Sequence, residues 1–188
     1  MDALMAALVL GAITQAGDRT PWLAAILADR WRTPALVVAA AAVALAANYA
    51  IGVAAGLAVG PLLTPEARLL LLALALLFAG LGTGWRHRRP DDLAGWRIGR
   101  VATALLGLFV MVLGDRMQFV AAALGARSVL PWAAAVGATI GALAVVAAAA
   151  AMGEAAWQRL PHRAIRLGSA AVLTVAGVIT GLTAVSLI

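Results

Sequence analysis

The chain contains no cysteine and no lysine, and it is poor in charge of either sign. Without cysteine there are no disulfides and no thiolate metal sites. Only 12% of the 188 residues are charged, while 64% are hydrophobic, against roughly 45–50% in soluble domains. A soluble globule of this length has too little interior for so much apolar surface. The alternating apolar–polar pattern of a barrel strand is also missing, so lipid-facing backbone groups must be satisfied within helices. What remains is an all-α, polytopic membrane protein with long apolar runs and short charged loops.

Six spans are expected, near 3–28, 34–60, 67–84, 98–126, 131–153 and 165–187. Pro34, Pro61, Pro65, Pro90, Pro131 and Pro161 fall in or beside the breaks, where a residue without an N–H does least harm. The opening "MDALMAALVL" lacks a basic stretch and reads as a retained first helix. All 14 basic residues are arginine, against 8 acids, for a net charge of +6. The loops after spans one, three and five hold Arg30, Arg32, Arg86, Arg88, Arg89, Arg97, Arg100, Arg159, Arg163 and Arg166. The opposite side holds Arg68 and Arg127. By the positive-inside rule both termini face outward and the basic loop 85–97 is cytoplasmic, as in a bacterial inner membrane. Trp31, Trp85, Trp96 and Trp157 are expected as an aromatic belt at that boundary. The arginines thus read as a topology signal, and no nucleic-acid partner is expected.

The sequence repeats at an offset of 97. "GDRTPWLAAILADRWRTP" (17–34) falls on "GDRMQFVAAALGARSVLP" (114–131), and "AGLGTG" (79–84) on "AGVITG" (176–181). The division is 1–84 for a first three-helix repeat, 85–97 for the loop and 98–188 for a second repeat. Three spans per unit make the second repeat enter from the opposite face, as two inverted halves. Such halves place a site near the midplane between them, and alternating access follows from rocking one half against the other. Gly80 with Gly84, Gly177 with Gly181, Gly52 with Gly56 and Gly60, and Gly137 with Gly141 stand four apart, a spacing that lets helix backbones approach.

Ionised side chains inside a span cost about 2.5–3.5 kcal/mol each on insertion scales, so the Gly-Asp-Arg triplets call for a reason. Asp18 and Asp115 supply hard oxygen ligands and are the candidate metal-binding pair. Gln15, Thr20 and Gln118 add neutral oxygens. Pro21 leaves the Gly17 carbonyl without a helical partner. Gly17 and Gly114 are expected to let the two backbones meet, with helix one loosened after Pro21 and helix four running straighter. An all-oxygen set suits calcium, manganese, magnesium, sodium or protons. Arg19 and Arg116 are charge partners, and an Asp18–Arg116 pair across the halves is an alternative in which these residues merely join them. Asn48 is expected to bond within the bundle and Glu154 to be solvated at a helix end. His87 and His162 form no ligand cluster.

Six spans, two inverted halves and this motif resemble the transmembrane protein 165 family. Its signature is Glu-x-Gly-Asp-(Lys/Arg)-(Thr/Ser) in each half. Gly17, Asp18, Arg19 and Thr20 match the first copy. Gly114, Asp115 and Arg116 match the second, and Gln118 fits the glutamine that often follows. Gln15 and Val112 stand where the family has glutamates, and Met117 where it has Thr or Ser. The resemblance implies a secondary transporter that exchanges calcium or manganese for protons, not an enzyme, with no resident cofactor. Its partners would be the bilayer, the cation and protons, with a homo-oligomer left open. A related carrier of a monovalent or small organic cation, or a non-transporting protein that keeps the fold, are the alternatives.

Overall fold

Proline and glycine set where the helices begin and where they touch. The computed structural model describes residues 2–85 and 88–186. Arg86 and His87 of the basic loop lie outside the described residues. Eight α-helices run in order: α1 (Asp2–Ala16), α2 (Arg19–Trp31), α3 (Pro34–Val59), α4 (Pro65–Gly84), α5 (Arg100–Val112), α6 (Arg116–Arg127), α7 (Pro131–Gln158) and α8 (His162–Ala184). Pro34, Pro65 and Pro131 are each the first residue of a helix, and Pro161 is the cap of α8. At the first position proline's missing N–H would have been unpaired anyway, and its fixed φ is already helical.

Among the described residues, α3, α4, α7 and α8 are long and apolar enough to cross a membrane, and α5 with α6 makes a fifth crossing if the bent pair is one span. The expected spans 3–28 and 98–126 are therefore not continuous helices. Each is two shorter helices divided at Gly-Asp, and α5 meets α6 at 67°. The expectation of a straighter helix four is overturned. The helix α7 runs past the expected end at 153, but Gly153 breaks it with φ 75°. The repeat offset survives in the elements. Arg19, Pro34 and Pro65 open helices in the first half; Arg116, Pro131 and His162, each 97 positions on, open helices in the second.

Helix contacts run mostly between the halves: α1 lies on α7, α4 on α8, and α3 on α5, α6 and α7. Glycine makes these approaches possible. A Cβ on Gly52 would sit 2.6 Å from the Gln118 carbonyl oxygen, and one on Gly60 2.9 Å from that of Ala126, while Gly56 rests directly on the Ala122 backbone. Gly137 and Gly141 meet the backbone of α1 at Leu4 and Leu8 in the same way. In lipid no hydrophobic effect drives helices together, so close van der Waals approach carries much of the association.

Candidate cation site at the two helix breaks

Both breaks are made in the same way. The Asp18 N–H bonds the Gln15 carbonyl at 3.1 Å, and the Asp115 N–H bonds the Val112 carbonyl at 2.9 Å. Each aspartate is extended and is the N-cap of the next half-helix, Asp18 at φ −98° and Asp115 at φ −64°. Aspartate is among the best residues there, since a carboxylate faces the positive end of the helix dipole and can accept from unpaired N–H groups, as Asp115 does and Asp18 does not. Pro21 lies in the first turn of α2, so it is compatible with the break and does not make it.

The glycines differ. Gly114 has φ 75° and open space around it, so it serves conformation. Gly17 packs, with a built Cβ 3.2 Å from the Thr83 methyl and 3.4 Å from Arg166 Cγ. The expected approach of the Gly17 and Gly114 backbones to each other is not what either glycine does. Gln118 braces the second break. Its Oε1 accepts the Gly114 N–H at 2.7 Å, and its Nε2 donates to the Asn48 carbonyl at 3.0 Å. Gln118 therefore holds the backbone instead of lining the cavity. Asn48 is buried and bonds within the bundle, to the Ala44 and Phe109 carbonyls.

The two carboxylates have different company. Asp18 Oδ1 accepts from Arg116 Nη2 at 2.7 Å, and Oδ2 accepts from Thr20 Oγ1 at 3.0 Å. Asp115 caps α6 through the Met117 N–H, and its Oδ2 accepts from Gln15 Nε2 at 3.0 Å. Gln15, fully buried, also donates to Tyr49 Oη at 3.3 Å, and its own Oε1 has no partner. The amide thus turns its NH2 to Asp115, where an oxygen ligand was expected. Val112 is fully buried and apolar. No cluster of three or more His, Cys, Asp or Glu that could hold a metal occurs among the described residues.

Asp18, Arg19, Asp115 and Arg116 line one cavity of about 190 Å³. That is room for several waters at about 30 Å³ each. A second cavity of about 600 Å³ is lined by Gly17, Asp18, Trp22, His162, Arg163 and Arg166. Asp18 is the residue common to both linings. Two expectations at the basic end need correcting. Trp157 is buried against Trp22 and His162, with no place in an exposed belt. Glu154 is not simply solvated: it pairs with Arg89 at 2.8 Å, accepts from Trp22 Nε1 at 3.3 Å, and its own N–H meets Asp29. The break at Gly153 frees that N–H, a signal that a glycine inside an apolar run can carry.

A chain of several apolar spans, with two helices broken on charged motifs around a small cavity, has the build of a membrane carrier. Comparison with known proteins agrees: the chain belongs to the divalent cation/proton antiporter GDT1 family, whose model matches residues 3–91 and 100–187. The two matched segments begin at the same offset as the repeat. The chain is 28% identical over 172 residues to a Vibrio cholerae protein named "Putative manganese exporter", covering 88% of this chain and 84% of that one. No solved structure matches. The chain is accordingly a multi-pass membrane protein of a divalent-cation transporter family.

Proposed function

We propose that the chain carries a divalent cation, manganese or calcium, across the membrane in exchange for protons, using Asp18 and Asp115 as one shared site. The observation that carries this reading is that both aspartates, each at the N-cap position of a half-helix at a break, line a single small cavity. Two carboxylates can be neutralised by one divalent ion or by protons, but not by both together, and that competition is the exchange. Hard oxygen ligands and a partly hydrated ion fit manganese or calcium better than a softer metal. Thr20 steadies Asp18, and Gln15 and Gln118 place Asp115. The name of the Vibrio cholerae relative supports manganese over calcium as the first ion to try.

On this reading the broken pair α1–α2 and the bent pair α5–α6 each count as one span. The chain then crosses six times as two inverted three-helix repeats, 1–84 and 98–188, joined by a cytoplasmic loop 85–97. The equal element offset and the matched family segments support the repeat. The arginine bias supports outward termini in a bacterial inner membrane.

The test is proton movement in proteoliposomes on adding manganese, calcium, magnesium or sodium in turn. Manganese or calcium is expected to drive proton movement, and Asp115→Asn to abolish it. A response to sodium alone would favour the second reading, a carrier with a changed substrate, which Gln15 and Val112 at the family's glutamate positions support.

A further inference from the structure

The two arginines that accompany the carboxylates are not equivalent. Arg116 reaches across the halves to Asp18, and this pair is deeply set, with side-chain exposures of 17% and 11%. The stem of Arg116 lies along Gly82 of α4, where an added Cβ would come 2.8 Å from its Cδ. A groove thus exists for this side chain. The position 97 residues on from Gly82 is Ile179, half exposed and bulky, so the repeat offers no equivalent groove to Arg19. Arg19 lines the same cavity but makes no hydrogen bond there to a described side chain.

Charge sharpens the point. In the empty cavity the Arg116 guanidinium already offsets the charge of Asp18, while Arg19 is exposed at the start of α2 and forms no ion pair among the described residues. A divalent ion entering the cavity would meet an Asp18 whose charge is already offset. The ion gains the full attraction of Asp18 only if Arg116 leaves. Asp18 is also the residue that joins the small cavity to the larger one running to His162, Arg163 and Arg166.

We infer that Arg116 is a tethered competitor for the transported cation: its guanidinium occupies Asp18 in the empty protein, its stem seated in the Gly82 groove, and a divalent ion loads by displacing it from that seat. This rests on Asp18 and Asp115 forming the cation site. It sets the affinity of that site low, as a carrier that must release its ion requires, and it makes Arg116 a specificity-determining residue where Arg19 is a bystander. A monovalent ion has half the charge with which to dislodge a guanidinium, so the competition also favours divalent ions.

The experiment is titration of the purified full chain with manganese by calorimetry, comparing wild type, Arg116→Gln, Arg19→Gln and Gly82→Ala. Arg116→Gln is expected to bind about tenfold more tightly than wild type. Arg19→Gln makes the same change in net charge and is expected to shift affinity by less than about threefold. Gly82→Ala keeps every charge but crowds Arg116 off its groove, so it too should tighten binding, and it tests the idea if Arg116→Gln fails to fold. Unchanged or weaker binding in folded Arg116→Gln or Gly82→Ala overturns the inference while leaving the site itself standing. Equal tightening in Arg19→Gln and Arg116→Gln also overturns it, since bulk charge would then explain both. If wild type and all variants bind no manganese, calcium or magnesium, the proposed cation site fails, and the competition with it.

Discussion

The triplets Gly17-Asp18-Arg19 and Gly114-Asp115-Arg116 are identical in sequence and unlike in their surroundings. The first is steadied by side chains: Thr20 and Arg116 on the carboxylate, Thr83 and Arg166 against the glycine. The second is steadied through its backbone N–H groups as well: Asp115 accepts the Met117 N–H beside the Gln15 amide, and the Gly114 N–H, in a left-handed turn, is held by the Gln118 side chain. A repeat fixes where the helix breaks fall. What each carboxylate then bonds is decided by the residues just outside the triplet, Thr20 against Met117 and Pro21 against Gln118, and by the other half.

This contrast can be broken by matched substitutions. The largest effect is expected from Asp18→Asn, which leaves the partly buried Arg116 guanidinium without its counter-charge. A pair that still lines a cavity falls short of the cost of breaking a fully buried one, at about 2 kcal/mol, and the thermal unfolding midpoint in detergent should fall. Asp115→Asn keeps a good capping residue and should cost no more than about 1 kcal/mol. Adding Arg116→Gln to Asp18→Asn should recover most of the loss, and equal falls in both single variants would show that the two aspartates are held alike.

Next in size are the glycines. Gly114→Ala forces a side chain into the left-handed region at a cost of about 1–2 kcal/mol. Gly17→Ala meets the Thr83 methyl at 3.2 Å and Arg166 at Cγ and Cα no closer than 3.4 Å, contacts that need shifts of only a few tenths of an ångström, and should cost less than about 1 kcal/mol. The same melts would read both, and a larger loss at Gly17 would invert the comparison. Gln15→Glu replaces the amide that donates to Asp115 with a third acid. Manganese binding should tighten by about tenfold near neutral pH and weaken more steeply as pH falls, because protons compete for more carboxylates. Calorimetry at several pH values would show it. Thr20→Val, which removes one hydroxyl from Asp18, is the smallest change, about 1 kcal/mol of stability.

The helical class, the breaks at proline and the 97-residue repeat were legible because they are local or periodic in sequence. The glycine ladders were legible too, since a helix places every fourth residue on one face. The direction of the breaks was not. Pro21 drew attention to itself, but a proline in a first turn marks a helix start as readily as a kink. The decisive pair was Gly-Asp, where the aspartate caps the new helix. The role of Gln118 was hidden because it depends on a side chain folding back to an N–H four residues earlier. The partners of Glu154 are not visible in sequence, because Arg89 and Asp29 come from a distant loop and a distant helix. The crossed pair of Asp18 with Arg116 was one of the arrangements the sequence allowed, and only the packing of α6 against α4 at Gly82 selects it.

The central claim is that Asp18 and Asp115 together make one cation site. Equilibrium dialysis of the purified chain against manganese counts the ions directly. The account predicts one manganese per chain, with binding lost in Asp115→Asn and lost in the Asp18→Asn, Arg116→Gln double variant. Two ions per chain, or a single ion still bound at full stoichiometry and affinity in either folded variant, would contradict it.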